Sequence, residues 1–333
     1  MAEAKGNTLG ETRLVRDIRE KSGLVLVLAV LLAIFGVLTR GRFLEFDNLI
    51  TLLRAISLST IIAFGMTLCI ITGGIDLSVG ALMAVASTYS AGLVDKGASA
   101  FVGVGIGIVM AIAMGGITGL LVSRTAIPPF IATLAMMTAA RGVAYVYSGG
   151  RPIRTASSFG AIGNGYLFNL IPYTIVIAIV ILIAMSILLN KTKFGRSVFA
   201  VGGNREAAVF SGINIGRTLC LTYTITGLLC GLSGVLWASR AYSGQPTLGT
   251  GAEMDAIAAA VVGGTSMTGG IGSMSGTFLG ALVIQTLKSG MNYLNVPFYY
   301  QNILQGVVIV GAVLVDINRK SGGGSGKKGV RAG

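Results

Sequence analysis

Histidine is absent from all 333 residues. Its absence removes histidine-based catalytic triads, histidine metal ligands and histidine proton relays together. Charge is also scarce: Asp, Glu, Lys and Arg make up 11% of the chain, under half their share in an ordinary soluble domain. The three cysteines, Cys69, Cys220 and Cys230, lie in apolar stretches without metal-ligand or redox spacing and read as small packing residues. No G-x-x-x-x-G-K-[ST] loop is present to cradle nucleotide phosphates. If ATP drives this protein, another chain must bind it.

What the chain has in excess is apolar surface and glycine. Hydrophobic residues make up 53% of it, and the mean hydropathy is +0.81. These values predict an all-α fold, a polytopic membrane helical bundle. The formal charge of +13 could suggest nucleic acid, but Lys and Arg gather at the chain ends and between apolar runs, where the positive-inside rule places them. Membrane lipid, not nucleic acid, is the expected surrounding. Fifty glycines let helix backbones approach closely where lipid supplies no hydrophobic drive between helices.

Taken in order, the polar residues 1–22 carry Arg13, Arg16, Arg19 and Lys21 and predict a cytoplasmic N-terminal segment. A transmembrane domain is expected over 23–318. Ten apolar runs fall near 24–38, 50–71, 77–94, 101–122, 129–147, 170–189, 214–238, 254–262, 276–291 and 302–316. About ten transmembrane helices with both termini cytoplasmic satisfy the placement of Lys and Arg. The loop 190–217 is then the longest cytoplasmic connection, 148–169 and 241–253 lie outside, and Glu253 and Asp255 sit at an outer boundary. Residues 319–333 read as a flexible C-terminal tail rich in Gly and Ser.

Two glycine-rich breaks interrupt the runs. The first holds Gly73, Gly74, Asp76, Ser78 and Gly80. An isolated aspartate at the centre of a membrane helix costs about 2.5–3.5 kcal/mol, so Asp76 must be capped, paired or hydrated. The reading is an N-cap for the third helix, assisted by Ser78, with a hinge or pathway-lining role compatible with the cap. The second break holds Gly263, Gly264, Thr265, Ser266 and Thr268, whose hydroxyls could cap a broken helix or line a polar route. The wording Gly80-Ala81-Leu82 and Gly280-Ala281-Leu282 suggests an internal repeat, as in transporters with discontinuous helices. Arg141, inside the fifth run, is expected to be paired or to snorkel.

In the cytoplasmic loop, Asn204 can cap a short helix that starts at Arg205, Glu206 suits its first turn, and Gly212 suits its stop. A helix this short needs packing or a partner to hold it. By pattern alone, the segment is either a partner site or an ordinary connection.

Here the wording of the sequence adds weight. Glu206-Ala207-Ala208 followed by Gly212 resembles the E-A-A-x-x-x-G core of the cytoplasmic loop in permease subunits of binding-protein-dependent ABC importers. GGIDLSVG (73–80), KFGRSVFAVGGNREAAVFSGI (193–213) and AAAVVGGTSMTGGIGSMSGTFLGAL (258–282) occur in the order seen in ribose-type monosaccharide ABC permeases. The likeness covers roughly residues 24–318. It implies an inner-membrane permease subunit that binds no cofactor, with ATP-Mg held by a partner. Implied partners are ABC ATPase subunits docking at residues 204–212, a periplasmic sugar-binding protein, and a second permease copy or paralogue. The alternative is an ion-coupled secondary solute transporter using Asp76.

Overall fold

The computed structural model describes residues 13–155 and 157–323. Thirteen helices are found among them: α1 (Arg13–Leu38), α2 (Phe46–Ile71), α3 (Val79–Asp95), α4 (Ala100–Arg124), α5 (Pro129–Ser148), α6 (Ala161–Asn164), α7 (Tyr173–Lys191), α8 (Lys193–Gly203), α9 (Arg205–Phe210), α10 (Ile215–Ala241), α11 (Ala252–Val262), α12 (Met274–Tyr293) and α13 (Phe298–Gly323). Each of the ten apolar runs falls on a helix; only α6, α8 and α9 have no run of their own. Among the described residues five helices, α2, α4, α5, α7 and α10, are long and apolar enough to cross a membrane, and three shorter apolar stretches lie in α1, α3 and α13. α13 continues to Gly323, five residues into the expected tail. Residues 1–12 of the expected N-terminal segment and the rest of the tail lie outside the described residues.

Local chemistry sets the helix ends. Ser99 Oγ accepts the Val102 N–H and opens α4, Pro129 occupies the first turn of α5, and Asn214 Oδ1 accepts the Arg217 N–H at the head of α10. Burial then sorts the spans into centre and rim. In α2 and α10, 61% and 67% of the apolar window is buried, against 22–28% in α4, α5 and α7. The first pair is therefore the hub, and the other three turn a broad apolar face outward. α10 packs chiefly on α4, α3 and α2. A Cβ on Gly115 would lie 2.6 Å from the Tyr223 carbonyl oxygen, so α4 and α10 touch backbone to backbone. Gly103 and Gly107 of α4 approach the Ser90 and Ala86 carbonyls of α3 as closely, whereas Gly105 faces open space.

The route between α10 and α11 departs from expectation. Residues 241–253 do not stay outside. After a short antiparallel pairing of β1 (Ile153–Arg154) with β4 (Ser243–Gly244), the chain runs back into the bundle along α3. Gly244 lies against Ser87 and Thr88, and Gly249 against Gly80. Those contacts are eight residues apart on α3, a descent of about 12 Å. Irregular backbone is tolerated at such depth because protein satisfies it: Gln245 N–H donates to Ser87 Oγ, and Arg141 Nη1 donates to the Pro246 and Leu248 carbonyls, each at 2.7 Å. α11 thus starts inside the bundle, and Glu253 and Asp255 start with it. Their expected outer-boundary placement is corrected by this descent, which periodicity could not register. A hairpin pairs β2 (Tyr166–Leu167) with β3 (Ile171–Pro172) between α6 and α7.

Candidate functional site

Between α2 and α3 the first break turns on Gly73, whose φ is +82°. Asp76 is completely buried. Its Oδ1 accepts the Ser78 N–H at 2.8 Å and the Ser78 hydroxyl at 2.6 Å. The helix N-cap is Ser78, which makes no side-chain cap bond. Asp76 is therefore not the N-cap the sequence suggests; it closes a turn one step earlier, because its short carboxylate reaches the amide two residues on. Its Oδ2 has no hydrogen-bond partner among the described residues, and neither has the nearby Tyr223 hydroxyl. Gly74 leaves room for that hydroxyl, since a Cβ there would sit 2.5 Å from it. The Ile75 carbonyl accepts from Thr133 on α5, while the Cα of Gly80 carries the Gly249 backbone and sits near the Glu253 carboxylate.

The second break closes on the first. Gly263, at the end of α11, lies against Gly276 of α12. Gly264 has φ +89°. Thr265 and Ser266 are both buried; Ser266 N–H donates to the Ile271 carbonyl, and its hydroxyl meets that of Thr268 at 3.1 Å. These contacts close the loop locally. Gly270 N–H then donates to the Ile71 carbonyl at 2.8 Å, joining the second break to the last turn of α2.

The segment between α7 and α10 meets the same point. A Cβ on Gly202 would run into the Ile71 carbonyl oxygen and lie 2.7 Å from the Gly270 nitrogen. Gly269 and Gly270 press in turn on Gly202 and Gly203. Four glycines thus bring the end of α8 and both breaks into backbone contact. From Gly203 the chain passes into α9, whose first turn is capped by Asn204 Oδ1 accepting the Ala207 N–H at 2.9 Å. Gly212, at φ +75°, donates its N–H to the Val209 carbonyl and ends the helix. Only Ala208 of α9 is buried; Arg205, Glu206, Ala207 and Val209 are exposed, and Phe210 is 91% exposed.

One cluster lies outside both breaks. Asp255 of α11 accepts Lys288 of α12 at 2.7 and 2.8 Å and Gln305 of α13 at 2.6 Å. It ties three helices together.

The comparisons with known proteins fall on this architecture. Residues 48–313 match a family described as branched-chain amino acid transport system / permease component. The chain is 43% identical over 302 residues to the ribose import permease protein RbsC of Bacillus subtilis, covering 90% of this chain and 93% of that protein. It belongs to the ribose-type ABC permease family. The permease is also 42% identical over 301 residues to RbsC of Escherichia coli K12, at 89% and 93% coverage. It is 36% identical over 298 residues to the L-arabinose transport system permease protein AraH of the same strain, at 89% and 90%. No solved structure matches it. With its apolar helices, membership makes the permease a multi-pass protein of the inner membrane.

Of the residues singled out by sequence, the permease brings Gly73, Gly74, Asp76 and Ser78 together at the first break, and Gly263, Gly264, Thr265 and Ser266 at the second. Asn204 to Gly212 project from the bundle beside the junction of the two. Gly80 is packed and Arg141 is paired to carbonyls, while Gly280 lies seven residues into α12 against the Ala259 carbonyl, unlike Gly80 at the second position of α3. Missed by sequence were the Gly202 contact and the Asp255–Lys288–Gln305 cluster. The available signal for the cluster was a lone lysine inside the ninth apolar run.

Proposed function

We propose that this permease carries a monosaccharide across the inner membrane by alternating access, driven by ATP hydrolysed on partner subunits. The observation that carries the reading is the glycine junction at the Ile71 carbonyl, where α8 and both helix breaks touch. ABC ATPase subunits dock on Asn204, Arg205, Glu206, Ala207, Ala208 and Gly212, with the exposed Phe210 among them. Displacement of α9 is passed through α8 to Gly202. Because backbones meet there without side chains between them, a shift of α8 must move the end of α2 and the loop that joins α11 to α12 or break contact. Gly73, Gly74, Asp76, Ser78, Gly80, Gly263, Gly264, Thr265 and Ser266 act as hinge or pathway elements in that movement. The chain itself catalyses no reaction and binds no cofactor; ATP-Mg belongs to the partner. A periplasmic sugar-binding protein delivers the solute to the outer loops, and a second permease copy or paralogue encloses the path.

The test is uncoupling. Gly212→Val forces a β-branched residue into left-handed backbone at a cost of roughly 1–2 kcal/mol, distorting the stop of α9 while leaving the bundle core untouched. Gly212→Val and, separately, Glu206→Trp should each abolish sugar uptake while the permease still folds and ATP hydrolysis loses its dependence on the loaded binding protein. Normal coupled uptake in both variants would sink the docking assignment.

The ion-coupled alternative has one observation in its favour, the unpartnered Asp76 Oδ2 beside the unpartnered Tyr223 hydroxyl. Uptake that stops with a protonophore but persists without the ATPase would select it.

A further inference from the structure

Among the charged and amide side chains at hydrocarbon depth that belong to neither glycine-rich break, five lie on or against α5, α11, α12 and α13: Arg141, Glu253, Asp255, Lys288 and Gln305. Arg141 lies seven residues from the end of α5 at Ser148, Lys288 five from the end of α12 at Tyr293, and Gln305 seven from the start of α13 at Phe298. At the helical rise these are about 8–10 Å in from the outer helix ends. None is sealed in the core. The Lys288 side chain is 24% exposed and that of Asp255 is 17% exposed, Arg141, Glu253 and Gln305 are half-buried, and Met254, between the two carboxylates, is 45% exposed.

Hydrocarbon is the wrong cover for such a band. Charged side chains within spans face a bundle interior or a water-filled cavity. The non-helical backbone of residues 243–249, a two-residue strand followed by turns, gives a second, independent reason. Its Pro246 and Leu248 carbonyls are held by Arg141, and irregular backbone at membrane depth survives only inside protein or beside water. Two carboxylates, two cations and an amide within one band offer acceptors and donors side by side, which is the complement of adjacent hydroxyls.

We propose that this band is the sugar-contacting wall of the translocation path, and that α5, α11, α12 and α13 form the face that encloses it. The ligand class is a neutral polyhydroxylated solute, whose hydroxyls exchange in turn with the Gln305–Asp255 bond and the Glu253 carboxylate. This assignment rests on reading the chain as a sugar permease.

The experiment uses the whole importer, permease with ATPase and binding protein, in proteoliposomes. Cys69, Cys220 and Cys230 are replaced by serine or alanine, and Met254→Cys is the reporter. Val180→Cys is the lipid-facing control, since Val180 is 58% exposed in the middle of α7. The probe is a charged, membrane-impermeant methanethiosulfonate. Met254→Cys should react at least tenfold faster than Val180→Cys and be slowed severalfold by binding protein loaded with ribose or L-arabinose in the presence of ATP. Equal rates at the two positions overturn the proposal.

A functional arm covers variants that fold poorly. Gln305→Leu should cut uptake at least tenfold while ATP hydrolysis stimulated by the binding protein stays within twofold of the parent. Unchanged uptake, or equal loss of both activities, overturns it. The charge-swapped pair Asp255→Lys with Lys288→Asp separates a path-lining role from a merely structural tie: hydrolysis without transport supports the path, and transport at the parental rate overturns it. A parent that hydrolyses ATP yet imports no sugar overturns the functional reading instead, and the labelling rates still decide the band.

Discussion

Two aspartates sit at membrane depth in this permease, and they are satisfied in opposite ways. Asp76 is completely buried, and its partner is Ser78, two residues along the same loop. Asp255 keeps some exposure, and its partners are Lys288 and Gln305, 33 and 50 residues away on other helices. A carboxylate answered locally fixes the shape of its own turn. One answered from a distance fixes how helices sit against one another. Breaking the second should therefore cost more than breaking the first.

The largest effect is expected from Asp255→Ala, which leaves the Lys288 ammonium without its counter-charge at hydrocarbon depth. Removing one partner of a buried pair costs about 3–5 kcal/mol; residual exposure of both groups screens this to about 2–3 kcal/mol. Thermal unfolding of the purified permease in detergent reads the loss. Adding Lys288→Met in the same chain should recover at least half of it, because most of the penalty is the orphaned charge and not the lost bond. An Asp255→Ala permease as stable as the parent would remove the distinction between the two aspartates.

Asp76→Ala comes next. It takes the acceptor from a buried N–H and a buried hydroxyl of Ser78 but strands no opposite charge. An unsatisfied buried group costs about 1–3 kcal/mol; the Ser78 hydroxyl can rotate to another acceptor, so a loss of about 2 kcal/mol is expected. The turn at Gly73 to Ser78 should loosen, and uptake should fall faster than stability. Equal damage to hinge and fold, read by hydrogen exchange across α2 and α3, would make Asp76 a stability residue only.

This contrast also marks what the sequence could disclose. The ten apolar runs located ten helices because the membrane demands apolar length, and Asn204 and Gly212 located α9 because caps and stops are built from neighbours in the chain. Asp76 was conspicuous for the same local reason, although its role as a turn-former ahead of the cap depended on which amide its carboxylate reached. Asp255 was read as a boundary residue, since nothing near it in the chain indicates that residues 243–249 descend along α3 or that Lys288 and Gln305 wait at the end of that descent. The Gly202 contact was hidden likewise. A glycine pair announces close approach, but its target, the Ile71 carbonyl, lies on a helix more than a hundred residues earlier.

The smallest effect, and the sharpest form of the comparison, is expected from amides. Asp76→Asn retains an oxygen in the Oδ1 position, so the two bonds from Ser78 can persist and stability should change by less than about 1 kcal/mol, mostly from the weaker neutral acceptor. Asp255→Asn keeps a similar shape but withdraws the charge that faces Lys288, so it should cost more than Asp76→Asn by about 1–2 kcal/mol. Measured side by side, unfolding and uptake then separate geometry from charge at the two sites. If Asp76→Asn instead abolishes uptake while the fold is intact, the charge on Asp76 is being used, and the unpartnered Oδ2 becomes the place where a cation would act. Uptake near the parental rate leaves Asp76 as a turn that an amide can close as well as an acid, and leaves charge chemistry in the membrane to the helices that meet at Asp255.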